Sequence, residues 1–241
     1  MLAFLLTVQA PSHVEKFRIE GVERRALVFP GAGAAPHALI LVFHGHGGSM
    51  NGAARSFRSH TYWPEATVIY LDGLPSPGAL TDPKGTRQGW QTRVGQSSDR
   101  DLKFVDAILD RVKNVDGNRI YAMGHSNGGR FTYVLWSARS NAFAAYGVSG
   151  SPAILQPAPA FAIAGVNDRL VSYAAQKRSI DLIAGIDGAV LSTAKPDGTV
   201  RLARGRDGLE VGTFLHLGGH NYPAQGAQAT VELFKRHAKR P

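Results

Sequence analysis

Ile120–Phe131 reads IYAMGHSNGGRF and sets Ser126 between His125 and Asn127, with glycines at 124, 128 and 129. The apolar run Arg119–Met123 leading into it reads as a strand, and a helix is expected to follow Ser126. Gly124, Ser126 and Gly128 satisfy G-x-S-x-G, a pattern that carries meaning only between a strand and a helix. A serine on so sharp a turn takes a strained backbone conformation, and side chains two residues either way would collide, so glycine is required there. The pentapeptide alone also fits an ordinary glycine-rich strand-to-helix turn. Its company in the chain decides between the two.

A serine hydroxyl is a weak nucleophile without a base to take its proton and a carboxylate to hold that base in one tautomer. After a G-x-S-x-G turn the expected chain order is serine, then acid, then histidine. FAIAGVNDRLV supplies Asp168 just beyond an apolar run, and FLHLGGHNYP supplies His220 beyond the last one. His216 competes for the base but sits inside the strand-like run. Asp181 and Asp187 compete for the acid but fall within or after the following helical stretch. The expected catalytic trio is therefore Ser126, Asp168 and His220. An oxyanion needs donors, and the candidates are the backbone N–H groups of Asn127, directly after the serine, and of His46 in LVFHGHGGSM. His44 and His46 have a spacing seen in some metal sites, but no third ligand follows at a matching spacing, so no metal is expected and His44 is read as ordering its loop.

The rest of the chain alternates short apolar runs with amphipathic stretches, the pattern of an α/β sheet. The strand-like runs are 25–29, 38–43, 67–71, 119–123, 145–148, 161–164 and 211–217. SDRDLKFVDAILDRV spaces Leu102, Val105, Ile108, Leu109 and Val112 at helical intervals, and Ser98 with Asp101 resembles a capping box. Further helices are expected from Ser172 and near the C-terminus, where AQATVELFKRHAKR ends in basic residues that suit a helix C-terminus. Positions 75–96 carry three prolines and four glycines and read as a long surface loop, a place where function often resides. About forty residues separate Ser126 from Asp168, too few for an inserted helical cap.

At 241 residues the chain suits one domain over 1–241. Its 44% apolar and 19% charged residues mark a globular protein. With no cysteine, disulfides, thiol nucleophiles and cysteine-held metals are excluded. A net charge of +9 comes from scattered basic residues not interleaved with aromatics, so a solvated basic surface is expected and nucleic acid is not. The apolar start, residues 1–10, is too short to span a membrane and reads either as the remnant of a secretion signal or as an edge strand. GAGAA from Gly31 lacks the third glycine of a dinucleotide fingerprint, and no nucleotide cofactor is expected.

LVFHGHGGS, YLDGLPSP, GW, DLKFVDAILD, RIYAMGHSNGG, AGVNDRLV and GGHNYP follow one another in the order seen in polyhydroxybutyrate depolymerase-like esterases, a group that includes feruloyl and acetylxylan esterases. The resemblance runs from about Ala38 to Pro223. It implies an α/β-hydrolase fold with a mostly parallel central sheet flanked by helices, no cofactor, secretion in many members, and a triad on Ser126, Asp168 and His220. It further suggests Trp90 as a border of the substrate pocket, with a loop aromatic pinned to the core as the alternative, and His125 and Tyr222 as substrate contacts. Tyr222 stands where the last motif of that group usually has tryptophan, a departure that bears on the substrate rather than on the mechanism. The expected activity is hydrolysis of short-chain or aryl carboxylic esters, of feruloyl or acetyl type or of hydroxyalkanoate oligomers. A serine peptidase on the same fold and a non-catalytic binding domain are the alternatives.

Overall fold

The computed structural model describes residues 10–78, 80–152, 156–191 and 196–239. The chain opens with a hairpin of β1 (His13–Ile19) and β2 (Val22–Phe29), continues through β3 (His37–Phe43), α1 (Met50–Phe57), α2 (Ser59–Tyr62) and β4 (Thr67–Leu71), and forms a two-residue ladder from β5 (Leu74–Pro75) and β6 (Gln88–Gly89). Then come α3 (Arg100–Arg111), β7 (Val115–His125), α4 (Asn127–Ala138), β8 (Ala145–Ser149), β9 (Ala160–Gly165), α5 (Tyr173–Asp187), β10 (Val200–Arg204), β11 (Glu210–His216) and α6 (Ala224–Arg236). Nine strands make one sheet in the order β1-β2-β4-β3-β7-β8-β9-β11-β10. The run from β4 to β11 is parallel, while β1, β2 and β10 pair antiparallel at the edges.

Burial on both faces explains why the central strands read as continuous apolar runs rather than alternating ones. Along β3, Leu39, Leu41 and Phe43 enter the layer shared with α3, α4 and α5, while Ala38, Ile40 and Val42 enter the layer shared with α1 and α6. Each of the seven expected strands is present. The two edge strands β1 and β10 escaped the reading because about half of their residues are exposed, Val14 and Leu202 among them, and charged residues interrupt both, so neither forms an apolar run. Helix α1 escaped it too: MNGAARSF is only two turns long and carries a glycine within it, and Ser49 Oγ caps it by accepting from Gly52 N–H. Residues 1–9 of the expected signal remnant or edge strand lie outside the described residues.

The capping box expected at Ser98 and Asp101 is not formed. Ser97, Ser98 and Asp99 all take positive φ, so the chain turns too tightly for Ser98 to cap. A distant side chain does the work instead: Gln91 Oε1 accepts the N–H groups of Asp101 and Leu102 at 3.2 and 3.3 Å. Asp101 turns inward to a wholly buried ion pair with Arg24, at 2.9 Å, and accepts the Gln91 N–H on its other oxygen at 2.7 Å.

Connectivity places the site. From β3 the chain crosses to β4 on one side and returns past β3 to β7, so β3 and β7 are neighbours whose following segments leave in opposite directions. Such a switch point opens a crevice at the carboxyl ends of the strands, where ligands of open α/β sheets bind. His44–Gly48 and Ser126 follow those two strands.

Candidate active site

Ser126 sits at the end of β7 with φ 56° and ψ −120°, a left-handed value rare for a residue with a side chain. The turn is pinned by Ser126 N–H donating to Ser149 O at 2.8 Å and by Arg130 N–H donating to Ser126 O at 2.9 Å, which starts α4. The flanking glycines are demanded by backbone proximity. A Cβ at Gly124 would lie 2.3 Å from Gly128 O, and one at Gly128 would lie 2.2 Å from Phe43 O.

The fold brings the three expected residues together. Ser126 Oγ–H donates to His220 Nε2 at 2.7 Å, and His220 Nδ1–H donates to Asp168 Oδ2 at 2.7 Å. Asp168 follows β9, where its Oδ1 also accepts the N–H groups of Leu170 and Val171, both at 2.8 Å, and its Oδ2 accepts Gln176 Nε2–H at 2.9 Å. Desolvation acts to raise its pKa, but the donors from Val171, His220 and Leu170 outweigh it and hold the carboxyl below the usual carboxylate range. An ionised carboxylate only accepts, so it fixes the proton on His220 Nδ1 and leaves Nε2 open to the serine. His216 lies elsewhere, at the end of β11, with Nδ1 accepting Gly218 N–H. Asp181 pairs with Lys177 on the surface, and Asp187 is buried at the end of α5.

His125 packs 4.7 Å from the His220 ring, with Nδ1 3.1 Å from Ser149 Oγ. Burial first and the neighbouring His220 second push its pKa down to about 3, so it stands neutral in the wall. Gly150, at φ 59°, leaves room for both rings, since a Cβ there would come within 3.0 Å of each.

His46 and Asn127 both line the cleft, and among the described residues neither backbone N–H has a partner. A Cβ on Gly45 would lie 3.5 Å from the Ser126 Cβ, which measures how close the loop after β3 comes to the serine. His44 is locked as a neutral strut: Nδ1–H donates to Gly45 O at 2.7 Å and Nε2 accepts Gly73 N–H at 3.0 Å. Burial lowers its pKa accordingly. His46 Nε2 lies 3.2 Å from Asp82, whose carboxyl is held down to about 2, chiefly by the Arg87 N–H. The His46 ring also fills the space left by Gly78 and Gly89, where a Cβ would fall 2.7 Å from it, so the 75–96 segment is moulded onto this side chain. That role of His46 and Asp82 was not readable from sequence, because the two are joined only by tertiary approach.

Two expected substrate contacts are corrected. Trp90 is wholly buried and absent from the cleft wall. Its indole stacks on Phe131 at 5.5 Å and meets Phe43 edge-on at 5.3 Å, while Nε1–H donates to His44 O at 2.9 Å. Its backbone instead serves the site, exchanging two hydrogen bonds with the Asn127 side chain, Trp90 N–H to Oδ1 at 2.7 Å and Nδ2–H to Trp90 O at 3.1 Å. Tyr222 likewise lies outside the wall, stacked on Phe57 at 4.0 Å and edge-on to His125 at 5.9 Å. Both rings turn their apolar surfaces to neighbouring aromatic side chains instead.

The cleft over Ser126 measures about 560 Å³ and is walled by Pro77, Leu80, Thr81, Thr92, Pro152 and Leu170. A hollow of about 620 Å³ lies at the other ends of the strands, around Asn118, Tyr146 and Leu209, away from the serine. Size does not choose between them; the hydrogen-bonded serine and histidine do.

The chain is 30% identical over 166 residues to a bifunctional acetylxylan esterase/xylanase of Neocallimastix patriciarum, covering 65% of this chain and 23% of that one. It is 29% identical over 143 residues to feruloyl esterase C of Emericella nidulans, covering 55% and 49%. The chain thus spans about a quarter and about half of the lengths of these curated relatives. No protein-family model matches it. Among solved structures, the acetyl xylan esterase from Aspergillus awamori superposes with a TM-score of 0.65 at 15% identity, over 92% of this chain and 99% of that one. The ferulic acid esterase of Anaeromyces mucronatus gives 0.63 at 13%, over 97% and 92%. The fold is that of the α/β-hydrolases, and the motif resemblance to feruloyl and acetylxylan esterases is borne out by these relatives.

Proposed function

We propose that this chain is a single-domain serine carboxylic-ester hydrolase that works through an acyl-enzyme on acetyl, short-acyl or aryl esters. The observation that carries the reading is the continuous hydrogen-bonded relay from Ser126 through His220 to Asp168 on a strained turn at the switch point of the sheet. The esterases among its relatives support the same reaction class.

In this reading His220 Nε2 takes the Ser126 proton as Oγ attacks the ester carbonyl carbon. Charge gathers on the carbonyl oxygen, where the N–H groups of His46 and Asn127 receive it beside the N-terminus of α4. The ester C–O bond then breaks, and His220 gives its proton to the departing alcohol. Water enters, loses a proton to His220 and attacks the acyl carbon, so the acid leaves and the proton returns to Ser126. Asp168 stays ionised throughout and stabilises the imidazolium formed at each step.

Turnover of p-nitrophenyl acetate, and its loss in Ser126→Ala with an unchanged circular dichroism spectrum, tests the assignment. Removal of the serine is expected to lower kcat by about four orders of magnitude or more. A serine-directed phosphonate should attach to Ser126 alone, and His220→Ala should abolish hydrolysis where His216→Ala does not. Undiminished hydrolysis by folded Ser126→Ala would refute the reading.

A further inference from the structure

The cleft contains positive charge without a matching anion. Arg87 and Arg130 line it, and among the described residues no aspartate or glutamate does. Asp82 stands behind His46 with its oxygens taken by Thr86, Arg87 N–H and His46. Asp168 stands behind His220.

Arg130 lies one turn into α4, whose first turn carries no acidic residue. A cation there opposes the helix dipole, so helix stability does not account for it. Its guanidinium is nevertheless held in place: Nε donates to Thr92 O at 3.2 Å and one Nη to Pro152 O at 2.8 Å, two carbonyls from separate walls of the cleft. Neither carbonyl neutralises it. The Arg87 stem lies over Gly47, where a Cβ would come within 3.3 Å of Cδ, and among the described residues its guanidinium has no carboxylate partner either. A guanidinium fixed by neutral carbonyls keeps its charge and its remaining donors for a ligand, in the planar geometry that matches a carboxylate.

We propose that the cleft selects esters that themselves carry a carboxylate, received by Arg130 with Arg87 at the mouth. The inference rests on the esterase reading above and names its substrate class: half-esters of dicarboxylic acids, or esters of hydroxy acids whose carboxylate is free. The net charge of +9 adds long-range attraction for such anions.

Two ester pairs that differ in whether one carboxyl is free or methylated provide the test, with hydrolysis followed at the shared ester bond and the rate of the symmetric diester halved for its two equivalent esters. 4-Acetoxybenzoate against its methyl ester places the carboxylate on the alcohol side; monomethyl against dimethyl terephthalate places it on the acyl side. In at least one pair the anion is expected to be favoured about tenfold in kcat/KM, mainly through KM, as a charge-assisted hydrogen bond would give. That advantage should shrink as ionic strength rises. Arg130→Gln should bring the ratio toward one and Arg130→Lys should keep part of it, whereas a residue that merely braces the two walls would change both members of a pair alike. Parity, or preference for the neutral ester, in both pairs overturns the inference. Failure of the esterase reading is read separately, from p-nitrophenyl acetate, and the anion site can be tested even where neither pair is turned over. Calorimetric binding of the same esters then decides the anion site, with tighter binding of the carboxylates supporting it and equal or absent binding overturning it.

Discussion

Asp187 ends α5 at 1% exposure, with one oxygen accepting Ala158 N–H at 3.1 Å and the other without a partner among the described residues. Burial pushes its pKa up to about 6. A carboxyl raised on folding favours the protonated native state, so its contribution is present below about pH 4, the unfolded value, and is lost as pH rises through about 6. Asp187→Asn should therefore raise stability at pH 7 by on the order of 1–3 kcal/mol and much less at pH 4. Urea midpoints at the two pH values check this, and an equal shift at both would contradict it. Trp90 gives a second expectation at this scale. Because its ring fills the core rather than the cleft, Trp90→Ala should cost about 3–5 kcal/mol of stability. The ratio of methyl ferulate to acetate hydrolysis in the folded fraction should stay near that of the parent protein. A changed ratio without a lowered melting temperature would restore Trp90 to the pocket wall.

At the level of elements, the segment that leads into α3 is stapled to the sheet by one buried pair. Arg24 on β2 reaches Asp101 on α3, lies 4.3 Å over the Phe104 ring and donates to the backbone oxygens of Arg100 and Asp72. Asp101 in turn anchors Gln91, next to the Trp90 backbone that grips Asn127. Removing one partner strands a buried charge, so Asp101→Ala should cost about 3–5 kcal/mol. The apolar pair Arg24→Met with Asp101→Leu should recover most of that loss. Thermal melts of the three variants compare the two effects, and a double variant no more stable than the single one would show that the pair is needed as a pair.

Across the whole molecule, what the sheet leaves uncovered sets which esters the proposed activity should favour. Only positions 139–144 separate α4 from β8, and only 150–159 separate β8 from β9, so no helical cap rises there among the described residues. Long acyl chains need walls that bury methylenes at about 0.8 kcal/mol each. The walls present are short, with Leu80 at 68% and Leu170 at 48% exposure on either side. p-Nitrophenyl acetate and butyrate should therefore exceed the palmitate ester strongly in kcat/KM. A palmitate optimum would mean that the 75–96 segment closes over the cleft as a lid.

Local chemistry was enough to locate the central strands, α3 to α6, the elbow at Ser126 and the order of serine, acid and histidine. Each depends on properties carried within a few residues: apolar runs that can be buried only in a two-faced sheet, glycines where a Cβ cannot fit, and polar side chains at strand ends. Tertiary structure alone decided the rest. Trp90 and Tyr222 looked like pocket aromatics beside their motifs, but the facing Phe131, Phe43 and Phe57 come from distant segments and draw both rings inward. Ser98 had the right spacing to cap α3, yet positive φ through Ser97–Asp99 and the Gln91 side chain assigned the cap elsewhere. His46, Asp82, Arg87 and Arg130 become one cleft only when β3, the 75–96 segment and α4 meet at the switch point. Spacing along a chain records which groups lie on one element; which elements face each other is set by burying both faces of the sheet at once.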